Sequence, residues 1–317
     1  MPLDQDQAQA DQALLQLGRR LRADGYRFTC VTPATQARVN GRPEAQHARN
    51  LRDVFGWSRP FAPSLISADE LALSTAAGVL LKQGDLLRST VRWSSLDDLL
   101  LVHSAWPTDS HDAVFFGPDS YRFVRAIHGH LQHCPHPLRH AVDIGCGTGV
   151  GALSIARAAP QAQVTAVDIN PLALRYTAVN AALAGVANVS PQASDLLNGV
   201  SGHFDLIVAN PPYMLDASER VYRHGGGRLG AGLSLRIVEQ ACERLVPGGT
   251  LLLYTGVAVV DARDALLDAL RLRLAGPAFN WVYEELDPDV FGEQLLEPGY
   301  EQVERIAAVA LTVTRNG

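Results

Sequence analysis

The stretch "RHAVDIGCGTG", Arg139 to Gly149, is an apolar strand that runs into a glycine-rich loop and then directly into the helix "GALSIARAAP". Glycines at such a junction let the backbone turn sharply and place no Cβ between main chain and ligand. The alternation then repeats. Strand "AQVTAVDIN" precedes helix "PLALRYTAVNAALAG", which has Pro171 in its first turn. Strands "VSPQASDLL" and "FDLIVANPPY", helix "SLRIVEQACERLVPGG", strand "TLLLYTG", helix "ARDALLDALRLRLAG" and strands "WVYEEL" and "RIAAVALTVTR" follow. Strands alternating with helices require a parallel sheet with right-handed crossovers, covered on both faces.

The 317 residues leave room for a second unit. Leu14, Leu15, Leu17 and Leu21 recur at helical spacing up to Gly25, and a second helix is predicted within "EAQHARNLRDVFG". Ser67 and Glu70 have the spacing of a capping box at the start of "SADELALSTAAG". Strands "LLRSTVRW" and "DLLLVHSAW" then surround a polar turn. Helices followed by a hairpin give a smaller, winged-helix-like α+β domain at residues 1–106, a linker segment at 107–138 and the main domain at 139–317.

Hydrophobic residues at 47% and charged residues at 19% describe a soluble globular protein. No apolar run approaches the roughly 18 to 20 residues of a membrane span, and the acidic start "MPLDQDQAQADQ" is unlike a signal peptide, so a cytoplasmic protein with no membrane partner is expected. The four cysteines are far apart and read as reduced thiols. A net charge of -6 argues against a dedicated nucleic-acid binder, although a local basic patch can exist within a negative total. In "HGHLQHCPHPLRH" Pro135 and Pro137 break any shared helical face, so no metal site is expected. Trp281, Tyr283, Glu284, Glu285 and Asp287 read as an edge strand with solvated carboxylates.

Asp143, Gly145, Gly147 and Gly149 form a D-x-G-x-G-x-G run, distinct from the G-x-G-x-x-G of dinucleotide folds, and no GK[ST] follows it. Such a loop also occurs as a plain tight turn. Asp168 ends the next strand, where an acid can accept hydrogen bonds from ribose hydroxyls, and Asp195 closes the third. Together these features resemble the class I S-adenosylmethionine-dependent methyltransferases, over about Arg139 to Arg315. The resemblance implies a Rossmann-like α/β fold with a seven-stranded, mostly parallel sheet and S-adenosyl-L-methionine as cofactor. Asp143 would orient its methionine part, Asp168 would hold the ribose and Asp195 would address the adenine. Gly145, Cys146, Gly147, Thr148, Gly149, Ile169 and Asn210 complete the implied cofactor-binding set.

Asn210-Pro211-Pro212-Tyr213 closes the fourth strand. Proline cannot donate to a ladder, so a strand-ending turn is one reading. Chemistry supplies another. A planar NH₂ group is a weak nucleophile because its lone pair is delocalised, and two acceptors must hold its hydrogens while the nitrogen becomes tetrahedral. The Asn210 side-chain carbonyl and the Pro211 backbone carbonyl are suited to this, the prolines stiffen them, and Tyr213 offers a face for stacking. The motif resembles two branches of the family: enzymes that methylate a glutamine amide in peptide-chain release factors, and enzymes that methylate the 6-amino group of adenine in RNA or DNA. The expected acceptor is thus a protein glutamine, with a nucleic acid as the alternative, and the oligomeric state is left open. "VFFGPDSYRF" lies where the glutamine enzymes carry a cofactor-covering segment, and the glycine-rich "YRHGGGRLGAG", Tyr222 to Gly232, reads as a substrate or cofactor lid or, equally, as a plain linker.

Overall fold

The computed structural model describes residues 5–134, 136–215, 225 and 230–317. From the glycine loop onward the chain alternates as its pattern requires. The elements are β5 (His140–Ile144), α6 (Val150–Ala158), β6 (Gln163–Asp168), α7 (Pro171–Ala184), β7 (Val189–Ala193) and β8 (Phe204–Ala209). They continue through α8 (Gly232–Arg244), β9 (Leu245–Val260), the two-residue β10 (Arg263–Asp264), α9 (Ala265–Arg273), β11 (Phe279–Asp287) and β12 (Arg305–Arg315). The sheet runs β11-β12-β9-β8-β5-β6-β7, with β10 pairing on β9 outside this path. β7, β6, β5, β8 and β9 are parallel, while β12 lies antiparallel to both its neighbours. This is the mostly parallel sheet that the alternation demands, in the Rossmann-like form that the resemblance implies. Its central strands are buried on both faces: Val142, Leu206, Ile207, Leu251 and Leu311 are fully enclosed.

The front half holds α1 (Gln5–Ala23), α2 (Pro33–Asn40), α3 (Leu51–Phe55), α4 (Ala68–Ala76), and strands β1 (Leu80–Gln83), β2 (Leu86–Ser89), β3 (Val91–Leu96) and β4 (Leu99–Ser104). Ser67 and Glu70 form the reciprocal cap expected at the start of α4. Two local readings are corrected. The helix expected within "EAQHARNLRDVFG" breaks into a 3₁₀ turn at Pro43–Ala45 and the short α3, because the Asn50 side chain accepts the Asp53 amide and starts a new helix. The single hairpin is two separate hairpins, β1-β2 and β3-β4, turning at Gly84 and Asp97, both in the left-handed region. "LLRSTVRW" is interrupted because the Ser89 hydroxyl bonds back to the Val91 main chain.

One apolar cluster crosses between the two halves. Leu14, Leu17, Leu21, Trp93 and Leu101 pack together with Leu153 of α6 and Tyr176, Val179 and Leu183 of α7. Gly18 makes this approach possible, since a Cβ there would lie 2.6 Å from the Trp93 ring and 2.9 Å from Leu183. Arg175 pairs with Asp11, and Arg22 donates to the Leu183 carbonyl at 3.1 Å. The chain between the halves turns into α5 (Pro118–Gln132), which packs against α6.

Candidate active site

Strand register builds the site. Ile144 is opposite Val167 on one side and Ala209 on the other, so Gly145, Asp168 and Asn210 leave the sheet side by side at its carboxyl edge. That edge is where open α/β sheets bind ligands. A cavity there is walled by Asp143, the loop 145–148, Asp168, Ile169, Asp195 and Asn210 to Pro212, with Phe115, Ser120 and Phe123 from the segment around the start of α5.

Gly145, Gly147 and Gly149 all have positive φ, at 68°, 54° and 77°. They do different work. A Cβ on Gly145 or Gly147 would meet no protein atom within 4 Å, so these two leave open room along the loop. On Gly149 it would come 2.7 Å from Thr177, and on Gly151 it would come 2.7 Å from the Asp143 carboxylate. Gly149 stands directly before α6, and its crowding against Thr177 sets how that helix meets α7. Cys146 and Thr148 are buried; the Cys146 thiol faces the Thr177 hydroxyl at 3.4 Å, and the Thr148 carbonyl accepts from Asn180 at 2.9 Å. Asn180 also bonds both main-chain groups of Val102, at 2.8 and 3.1 Å, tying the loop to β4.

Asp143 is 1% exposed and accepts the Ala152 amide at 2.8 Å. Burial, reinforced by the nearby Asp168 charge, pushes its carboxyl up to about 7. Asp168 accepts the Gly147 amide at 3.0 Å and the Asn170 amide at 2.9 Å; burial raises it too, against these two donors. Ile169 is 59% exposed at the cavity rim, an apolar face open to a flat ligand. Asp195 follows β7 by two residues, not as its last residue, and is exposed and paired with Arg236 at 3.2 Å. The set of acids, open glycines and an exposed apolar rim fits a nucleoside bearing a cationic tail.

Tyr213 stands otherwise than the stacking role expects. It is 8% exposed and turned away from the cavity, so it offers no stacking face. Its hydroxyl donates to Asp119 at 2.5 Å, and its ring lies against Gly256, where a Cβ would come within 2.1 Å. Asp119 also accepts the Tyr254 hydroxyl at 2.9 Å and Arg122 at 3.3 Å, and Arg122 reaches Asp287 at 2.7 Å. Sequence reading missed this carboxylate. Its signal in the sequence is an acid in the first turn of a helix, and its two tyrosine partners are 94 and 135 residues away. Of the expected lid, residues 222–224 and 226–229 lie outside the described residues. Among the described residues no three His, Cys, Asp or Glu side chains gather to hold a metal ion, and no helix is long and apolar enough to cross a membrane.

Residues 126–258 match the family model of the methyltransferase small domain. A release factor glutamine methyltransferase of Deinococcus radiodurans is 40% identical over 163 residues, 48% of this chain and 55% of that protein. A protein of the same description from Koribacter versatilis is 34% identical over 45% of this chain and 55% of its own length. The ribosomal RNA small subunit methyltransferase C of Escherichia coli is 34% identical over 34% of this chain and 33% of its own. The chain spans about half the length of the glutamine methyltransferases it matches.

Proposed function

We propose that this protein is an S-adenosylmethionine-dependent N-methyltransferase acting on the side-chain amide of a protein glutamine, with a translation release factor as the candidate substrate. The observation that carries the reading is that Asn210, Pro211 and Pro212 line the same cavity as the open glycine loop and Asp168. β8 ends at Ala209, directly before these three residues. The match to two release factor glutamine methyltransferases supports the acceptor.

Asp168 and the loop amides would hold the ribose end of S-adenosylmethionine, Ile169 would cover its base, Asp195 would turn from Arg236 toward the adenine amino group, and Asp143 would face the methionine part. When bound, this cofactor supplies an electrophilic methyl carbon on a sulfonium sulfur. The Asn210 side-chain oxygen and the Pro211 carbonyl accept the two N–H bonds of the acceptor amide and aim its nitrogen. A neutral asparagine does this without placing an anion beside a cationic donor. The stiff prolines fix both oxygens before substrate arrives.

A second reading, the planar amino group of an RNA or DNA base such as the 6-amino group of adenine, is favoured by two observations. One is the similarity to a ribosomal RNA methyltransferase. The other is a groove between α5 and the front half lined by Arg27, Arg52, Arg122, Arg125 and His128, with Asp97 as the acid among them. Transfer of labelled methyl into a cell lysate separates the readings: label that survives nuclease and is lost with protease supports the glutamine, and the reverse result overturns it. Asn210→Ala is expected to lower transfer at least about 100-fold while leaving cofactor affinity within a few-fold by calorimetry. Loss of both would assign Asn210 to cofactor binding alone.

A further inference from the structure

Asp119 is 4% exposed, and its two oxygens receive different elements: Oδ2 takes the hydroxyl of Tyr213 at 2.5 Å, Oδ1 that of Tyr254 on β9 at 2.9 Å. Charge-assisted bonds of this kind are short and strong, and an enclosed carboxylate needs them. Tyr213 directly follows Pro212, and what lies beyond it is also held, since the Leu215 amide donates to the Tyr300 hydroxyl at 2.8 Å. Between Tyr213 and Asn210 stand two residues whose φ is locked by their rings, and each proline also restricts the residue before it. Little torsional freedom therefore separates the anchored hydroxyl from the Asn210 and Pro211 carbonyls. The helix that supplies Asp119 also puts Ser120 and Phe123 on the cavity wall.

We infer that Asp119 is a positioning residue for methyl transfer, one that fixes the Asn210–Pro211 acceptor pair through the Tyr213 hydroxyl and joins it to the wall formed by α5. The inference rests on the N-methyltransferase reading. Tyr254 provides the control, because it gives the same carboxylate a hydrogen bond without belonging to the acceptor segment.

The test compares Asp119→Asn, Tyr213→Phe, their double variant and Tyr254→Phe. Tyr213→Phe and Asp119→Asn are expected to lower kcat about 10- to 100-fold with acceptor KM and cofactor Kd within about threefold, since misplacement by an ångström costs on that order. The double variant should be no worse than the worse single one. Tyr254→Phe should lower Tm as Tyr213→Phe does, yet keep kcat within about threefold. Unchanged kcat in Tyr213→Phe, or an equal loss in Tyr254→Phe, overturns the inference. Failure of the methyltransferase reading would show separately, as absence of transfer by the unaltered protein. Hydrogen exchange at the amides of Asn210, Tyr213, Met214 and Leu215 then decides the anchoring by itself: it must quicken more in Tyr213→Phe than in Tyr254→Phe, and equal exchange rejects the anchor.

Discussion

Asp143 is enclosed beneath the glycine loop, and an enclosed carboxylate favours its proton. Its pKa is raised from an ordinary 3.8 to about 7 in the fold, so between those values the folded chain holds a proton that the unfolded chain has released. Stability from this group therefore falls as pH rises from about 4 to about 7 and is level above that. At 1.36 kcal/mol per unit the cost reaches roughly 4 kcal/mol before any relaxation of the site. Asp143→Asn keeps an oxygen for the Ala152 amide and removes the charge. The cofactor-free variant is expected to melt several degrees above the parent at pH 8, with the gap shrinking toward pH 4 in calorimetric scans. A gap that widened toward low pH would show that the carboxylate is stabilised, not penalised, by its surroundings. Under the proposed function the cost has a use, because Asp143 would face the methionine part of the cofactor, away from Asn210, where a charged amino group would offset it.

The loop between β5 and α6 contains glycines that look alike in sequence and differ in what surrounds them. Gly147→Ala should cost about 1 kcal/mol of stability from its positive φ, yet abolish cofactor binding, because its Cβ would enter space that is open only to ligand. Gly151→Ala has ordinary helical geometry, but its Cβ would come 2.7 Å from the Asp143 carboxylate and 2.8 Å from Phe123. It should lower stability by about 1 to 3 kcal/mol from overpacking. Thermal melts with and without S-adenosylmethionine separate the two: Gly147→Ala loses the ligand-induced rise in Tm, whereas Gly151→Ala loses baseline Tm. If both lose both, the division between ligand-facing and packing glycines is wrong. Sequence could locate this loop, because strand, glycines and helix are adjacent in the chain. It could not assign the glycines, because Thr177, which crowds Gly149, arrives from the next helix. Tyr213 failed as a stacking face for the same reason: its partner Asp119 lies on an element whose approach is set by the fold.

Across the whole molecule, legibility follows how local the deciding interactions are. The alternation after Arg139 is a repeated local pattern and predicted the sheet; the front half turns on a single Asn50 cap and a Ser89 hydroxyl, which outweighed longer patterns. The division at residues 106 and 107 is a matter of composition and says nothing of shared core. Yet Leu153, Tyr176, Val179 and Leu183 of the main half, each at most 6% exposed, are buried in one cluster with α1 and the β3-β4 hairpin. Burial of such side chains contributes about 1.5 to 3 kcal/mol each, and Asn180 adds hydrogen bonds from β4 to the glycine loop. The two halves are therefore expected to unfold in one calorimetric transition, with the calorimetric and van't Hoff enthalpies agreeing. A chain starting at residue 107 would expose that apolar face and leave Asn180 without Val102, so it should aggregate or bind a hydrophobic dye, and bind S-adenosylmethionine far more weakly than the full chain. A soluble 107–317 fragment with undiminished cofactor affinity would mean that the front half is an independent attachment; a dye-binding fragment that regains affinity when residues 1–106 are added back in trans would show it to be the missing wall of one core.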